Sequence, residues 1–386
     1  MRIKSIARGL MLFASFAGVS AFSQEAREFR PEVLTVESKI KPGPNTLVVD
    51  AGWDGASRIN VLSTDDLSHK GVLSVGVVSQ LALSKDSKTA YTVSVYARRW
   101  MSGPSENVLQ EFDLATLKEK REIVLSDKSI YGKTLTSMVG LSANENYMLV
   151  QNATPATSIS IVDLKAGKPL AEVPTPGCWG VFPALDDLSF STICGDGTLG
   201  KVSFRPDGSF SEIKKSPPFF DADKDPIQAV ATRAGKDLLF VGFSGKIFRL
   251  DDSGMRPELK EVFEFAKGVE DDWAPSGVQL IAYNEPNNVL FVQMHPHAKD
   301  GSHKDPAQEV WALDMKSRKL LFRTSVDELI SIAVSNDKIP VLIGMKKEGS
   351  VVRYEMDPQA KFAGRRTKQA KNIGLHPIMA LTGAAL

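Results

Sequence analysis

Five histidines occur in 386 residues, and three of them crowd one stretch, His295-Pro296-His297 followed by His303, with Asp300 and Asp305 beside them. Imidazoles and carboxylates gathered this way are the donor types of a metal site. The spacing points elsewhere. Pro296 fixes the backbone between the first two rings, and the stretch reads as a loop inserted between two strands, not a helix presenting ligands at i and i+4. A hydrogen-bonded surface loop is expected, no metal is assigned, and the role of His295, His297 and His303 stays open. His69 and His376 have no partner in sequence.

No nucleophile elbow, phosphate-binding glycine loop, dinucleotide fingerprint or HExxH appears, so no catalytic residue is assigned. Gly195-Asp196-Gly197 stands between two strand-like runs and reads as a turn. The carboxylate pairs Asp251-Asp252 and Asp271-Asp272 lie beside turn residues and read as solvated. Tryptophan occurs at 53, 100, 179, 273 and 311, mostly as packing residues. Trp53 differs, because Gly52 and Gly55 flank it in a strand-turn region. Its indole either protrudes from a glycine-rich loop as a binding surface or folds back onto its own sheet.

The elements that would hold these residues repeat. The phrases 83–88, 141–146 and 334–338 each place Ser with Asn or Asp in a turn and hand over to β-formers. A second phrase, an alternating strand ending in Asp or a nearby turn residue, closes seven units at 58–64, 108–113, 158–163, 199–204, 246–251, 309–314 and 350–357. A period of about 40 to 60 residues suits a four-stranded propeller blade and is too long for a leucine-rich or hexapeptide solenoid. One sheet cannot bury its own faces, whereas a closed ring buries both faces of every sheet and leaves few edges. The fold expected is all-β, a seven-bladed β-propeller of four-stranded antiparallel sheets over residues 46–386. Within it, 257–267 reads as one short helix in an insertion, and the basic run 361–371 as a solvated C-terminal tail.

Arg2, Lys4 and Arg8 precede a short apolar run and the small residues Ala21 and Ser23, the pattern of a cleavable secretory signal over residues 1–23. Residues 24–45 then form an N-terminal extension. No later stretch is apolar for long enough to span a bilayer, and no membrane anchor is expected. With 47 basic against 46 acidic residues there is no net field to favour nucleic acid or an anionic membrane. The only cysteines, Cys178 and Cys194, form an isolated pair in an exported chain, which favours a disulfide over two buried thiols.

Three strings carry a resemblance: residues 150–163, the run 177–183 leading to 192–197, and Met294-His295-Pro296 with 301–306 and Glu309-Val310-Trp311. In these the chain resembles the heavy subunit of the tryptophan tryptophylquinone amine dehydrogenases, and looks closer to the aromatic (aralkyl) amine branch than to the methylamine branch. The resemblance implies a periplasmic complex of two heavy and two light subunits that oxidatively deaminates a primary amine. It places the quinone on the light subunit, so this chain carries no cofactor, and it implies a blue-copper electron acceptor such as azurin or amicyanin. It further implies an intrachain disulfide at Cys178 and Cys194, and Trp53 in the position of an aromatic residue that lines the substrate channel. The family is richer in arginine across 96–107 and ends that stretch in aspartate, where Ser102, Ser105 and Asn107 stand here. Without the resemblance, the alternative is a free-standing exported propeller that binds or hydrolyses a small ligand, in the manner of a lactonase.

Overall fold

Alternation along the strands and Ser/Asx punctuation between them produce sheets whose burial is greatest in the second strand and least in the fourth. The second strands, such as Tyr147–Asn152, Ser189–Cys194 and Val341–Lys346, are buried at every residue. Both of their faces are covered, which requires a neighbouring sheet on either side. Fourth strands such as Lys118–Leu125 and Lys168–Pro174 are largely exposed. A computed structural model describes residues 37–52, 55–99, 102–128 and 132–385.

Five four-stranded antiparallel sheets and one eight-stranded sheet make up this β-propeller. In four of the five, the strands run in chain order from the inner edge outward. The fifth closes the ring: Pro377–Ala385 pairs antiparallel with Pro44–Asp50, joining the C-terminal strand to the first strand of the chain. In the eight-stranded sheet the 16-residue strand Lys319–Val334 pairs with Ala307–Asp314 through its first half and with Val341–Lys346 through its second. Among the described residues the core is seven hydrophobic clusters, each lying between two neighbouring sheets or, once, between the two halves of the largest. Fully buried Leu, Ile and Phe side chains such as Leu149, Ile161 and Phe190 each contribute about 1.5–3 kcal/mol over remaining exposed.

All seven closing phrases lie in strands, each third from the inner edge of its group of four. Two expectations are corrected. The segment 257–267 is no helix: Glu258–Glu264 is a strand paired with Lys246–Asp251. Its helix formers are overridden because the edge of Lys246–Asp251 offers a ladder of hydrogen bonds, and strand geometry lets Phe263 pack on the core cluster that contains Trp311. The basic run 361–371 is no free extension either. Ala363–Ala370 is the outer strand beside Val351–Asp357. Its charged side chains remain exposed because an outer strand has one solvated side. The signal and most of the N-terminal extension lie outside the described residues.

Candidate functional site

Strand direction alternates within each sheet, so the links from first to second and from third to fourth strand emerge at one end of the ring. The links from second to third strand, and from one sheet to the next, emerge at the other. Neighbouring inner strands run the same way, as the parallel bridge between Gln279 and Ser331 and the bond from Ile332 N–H to Gln279 O (2.9 Å) illustrate. The first end is a turn face and the second a loop face. The described residues singled out for chemistry lie on the loop face, except His69 and the pair Asp251-Asp252.

Cys178 and Cys194 sit directly opposite each other in paired strands at the loop-face end of one sheet, joined by an S–S bond of 2.02 Å. Both are buried. The turn that follows, Gly195-Asp196-Gly197, is the hairpin connection expected, with Gly197 at φ +83° and Phe220 O standing where a Cβ would need to be.

Trp53 itself lies outside the described residues, but the base of its loop is tightly held. Gly52 N–H donates to Ser57 Oγ (3.1 Å), Val78 N–H to Gly52 O (3.3 Å), and Ser57 N–H to Gly76 O (3.0 Å). From the closing sheet, His376 N–H donates to Asp50 Oδ1 (2.7 Å). A Cβ on Gly52 would stand 2.6 Å from Gly55 O, so glycine is required for this fold-back. Against the loop lies an apolar pocket of about 190 Å³, lined by residues that include Gly55, Ala56, Val77, Val95, Tyr96 and Ala97. Burial raises the phenol pKa of Tyr96, which therefore stays neutral and donates to Gln110 Oε1 (2.8 Å).

The histidine loop does not gather its rings around a common point. His295 is 3% exposed, not on the surface as expected, because it ends a strand whose both faces are covered. Its Nδ1 donates to Ala274 O (2.9 Å), since a carbonyl can only accept, and its Nε2 faces Ser302 Oγ at 2.8 Å. Both nitrogens are thus used within the chain. Burial lowers its pKa, with the Ala274 bond opposing. His303 is also held low, first by burial and then by Lys304 and Lys133. It borders a second apolar cavity, of about 170 Å³, with Pro226, Ile227, Phe243, Pro275 and Leu280. His297, at φ +57°, donates its backbone N–H to Asp271 O (2.8 Å). Among the described residues no group of three or more His, Cys, Asp or Glu is placed to hold a metal.

The carboxylate pairs divide. Asp271 and Asp272 are exposed, as expected. Asp251 and Asp252 are buried, which corrects their expected solvation. Asp252, on the turn face, accepts from Ser191 Oγ (2.9 Å) and from both terminal nitrogens of Arg233 (2.9 and 3.1 Å). Lys201, itself buried, donates to Asp252 O (2.7 Å) and Asp186 Oδ2 (3.0 Å). This network staples two neighbouring sheets, and only their packing reveals it.

Two further features escape sequence reasoning. Arg323 lies over the rings of Trp273 and Trp311, 4.7 and 4.8 Å from their centroids, and shares Glu309 Oε2 with the Trp311 indole N–H. Along the ring axis, the loop before Val139 crosses from sheet to sheet. Thr136 Oγ1 donates to Gln279 Oε1 (2.9 Å), and Gln80 Nε2 donates to Lys133 O (3.2 Å). Thr136 and Gln279 also line a cavity of about 360 Å³ with inner-strand residues including Arg233, Tyr283, Val334 and Thr382.

Comparison with known proteins follows the whole ring. The family model described as methylamine dehydrogenase heavy chain matches residues 48–384. The methylamine dehydrogenase heavy chain of Methylophilus methylotrophus is 26% identical over 367 residues, covering 90% of this chain and 89% of that one. The heavy chain from Methylorubrum extorquens is 25% identical over 333 residues, covering 84% and 79%. Among solved structures, a candidate 6-phosphogluconolactonase from Bacteroides fragilis superimposes with a TM-score of 0.63 at 12% identity, covering 91% of this chain and 99% of that one. A β-propeller domain from Myceliophteria thermophila gives 0.54 at 12% identity, covering 81% and 96%. At such identities these two likenesses concern the fold alone.

Proposed function

The chain belongs to the methylamine dehydrogenase heavy-chain family, and from that premise we propose that it is the non-catalytic heavy subunit of a periplasmic quinoprotein amine dehydrogenase acting on an aromatic primary amine. The observation that carries this is a family match running from the first strand of the ring to the strand that closes it. Two such chains hold two light subunits. The tryptophan tryptophylquinone of the light subunit supplies the two-electron oxidation that, with water, turns a primary amine into aldehyde and ammonia, and the electrons pass to a blue-copper protein. This chain's own part is to bind and to shape. Its two cysteines are spent on each other, which suits a scaffold in an oxidising compartment. The loop face provides the opening, with the apolar pocket beside the Trp53 loop excluding water from an aromatic substrate.

The aromatic preference rests on Trp53, an indole two residues before Gly55, which lines that pocket. The count of seven blades belongs to the same proposal. It is supported by the inner strands, which touch one another in order around the axis when Lys319–Val334 is divided at its change of partner. It is supported too by the hydrophobic cluster between the two halves of the largest sheet. Reconstitution tests the assignment. The purified chain alone should show no amine oxidation with a dye acceptor, and activity should appear on adding the light subunit; turnover by this chain alone would refute it.

A further inference from the structure

One element of the loop face extends past the sheet that carries it. The strands Thr89–Arg99 and Ser102–Asp113 pair beyond the limits of their sheet. The inner neighbour reaches only to Val95, paired with Val77, and the outer neighbour only to Asn107, paired with Leu125. The described residues of 96–106 thus form a two-stranded, mostly exposed ribbon to which no other strand among the described residues pairs at either edge. A two-stranded ribbon standing alone in water is marginally stable, and a free edge is a template for another chain. The two edges are unequal. Pro104 has no N–H to offer on the outer strand, whereas residues 96–99 on the inner strand carry no proline and rise directly from the pocket lined by Tyr96 and Ala97. Arg98 and Arg99 are exposed and form no ion pair among the described residues, while Glu106 is the ribbon's one carboxylate.

We propose that this ribbon is the docking arm for the light subunit: an extended acidic segment of that subunit pairs along the free edge of residues 96–99, and Arg98 and Arg99 neutralise its carboxylates. The proposal rests on the assignment of the chain as a heavy subunit. Unneutralised guanidinium groups repel a basic partner and draw an acidic one. The free backbone edge supplies main-chain hydrogen bonds, and the adjoining apolar pocket receives one side chain of the added strand. Docking at this place would bring the partner against the Trp53 loop, where the substrate opening is proposed.

The test uses tagged full-length chain produced with its signal in the native host. The partner is identified by mass as a small, disulfide-rich protein with two cross-linked tryptophans. Charge reversal by Arg98→Glu with Arg99→Glu should weaken its retention at least about tenfold at low salt. Arg98→Lys with Arg99→Lys should retain it within a few fold, and the melting temperature of the isolated heavy chain should stay unchanged in both variants. Retention of the light subunit equal to wild type by the charge-reversed chain overturns the docking arm and leaves the heavy-subunit assignment standing. Intact assembly with slowed reduction of the copper protein also overturns it, because the ribbon would then serve the electron acceptor. If the wild-type chain recovers no such small protein, the heavy-subunit assignment fails and the docking arm fails with it.

Discussion

The two faces of the ring are built from the same strands, yet one repeats and the other does not. On the turn face the same local chemistry recurs. Ser84 bonds Asp86 (2.7 Å) as Ser142 bonds Asn144 (2.9 Å), and each hydroxyl also accepts the N–H that starts the next strand, from Thr89 and Tyr147. The aspartates ending the third strands cap the following turn: Asp113 accepts from Thr116 N–H (2.7 Å), Asp163 from Ala166 (2.7 Å) and Asp357 from Gln359 (2.8 Å). Left-handed residues fall at matching places, Ser87 (φ 57°) with Glu145 (φ 58°) and Leu117 (φ 57°) with Arg318 (φ 61°). The loop face has instead a glycine-flanked loop, a projecting ribbon, a loop anchored by the buried His295 and a crossing of the axis. Repetition serves the closing of sheets, while the irregular face carries what differs from one such ring to another.

That contrast can be broken first at its strongest point. Asp252→Ala on the turn face strips Ser191 of its acceptor and Arg233 of its carboxylate partner, leaving the guanidinium only the Pro183 and Lys236 carbonyls. The variant should lose about 3–5 kcal/mol, the cost of leaving a buried charge uncompensated. Denaturant unfolding measures it, with substrate selectivity of the assembled enzyme unchanged. A loss under about 1 kcal/mol would mean that solvent rescues Arg233.

Next comes a loop-face change that should act on stability. Replacing Cys178 and Cys194 together by serine opens a loop of roughly 15 residues and should cost about 3 kcal/mol in the chain-entropy model. Thermal melts of oxidised, reduced and mutant protein compare it directly. Were the three melts to coincide, the bridge would contribute nothing to holding these strands.

Trp53→Ala should do the reverse, leaving the melting temperature in place and raising KM for an aromatic amine by up to about tenfold, with kcat little changed. Methylamine should be almost unaffected, since it is too small to reach an indole wall. A lowered melting temperature with unchanged selectivity would move Trp53 from the opening into the packing.

The smallest effect concerns pH. Burial depresses the pKa of His295, so the unfolded chain binds a proton that the folded chain refuses. Where the unfolded state binds more protons, stability rises with pH. The contribution therefore falls away as pH drops below the ordinary histidine value of about 6.5. His295→Gln should flatten the decline in melting temperature between about pH 7 and pH 5. An unchanged slope would assign the acid sensitivity to other groups.

Local chemistry made much of the ring legible in sequence. Ser-Asx turns and Asp-terminated strands satisfy their own backbone within a few residues, so their pattern names them without any distant contact. The cysteine pair was legible for a related reason, since two thiols and no others leave one partner each. Where reading along the chain failed, the deciding contact lies elsewhere. Glu258–Glu264 has residues that suit a helix, and the waiting edge of Lys246–Asp251 makes it a strand. Asp252 has the neighbours of a solvated turn residue, and Arg233, 19 residues earlier, buries it. Residues 363–370 have the composition of a tail, and Val351–Asp357 makes them the outer strand of a sheet.

The repeat, the turn chemistry, the isolated cysteine pair and the family likeness are written in short strings, and the chain read residue by residue is enough to find them. Tertiary structure alone decided that Pro44–Asp50 should pair with Pro377–Ala385, that Thr136 should reach Gln279 across the axis, and that the Trp53 loop, the ribbon and the histidine loop should share one face. The physical reason is closure. A strand edge and an apolar sheet face are satisfied only by whatever the completed ring brings against them, however far away in the chain that partner lies.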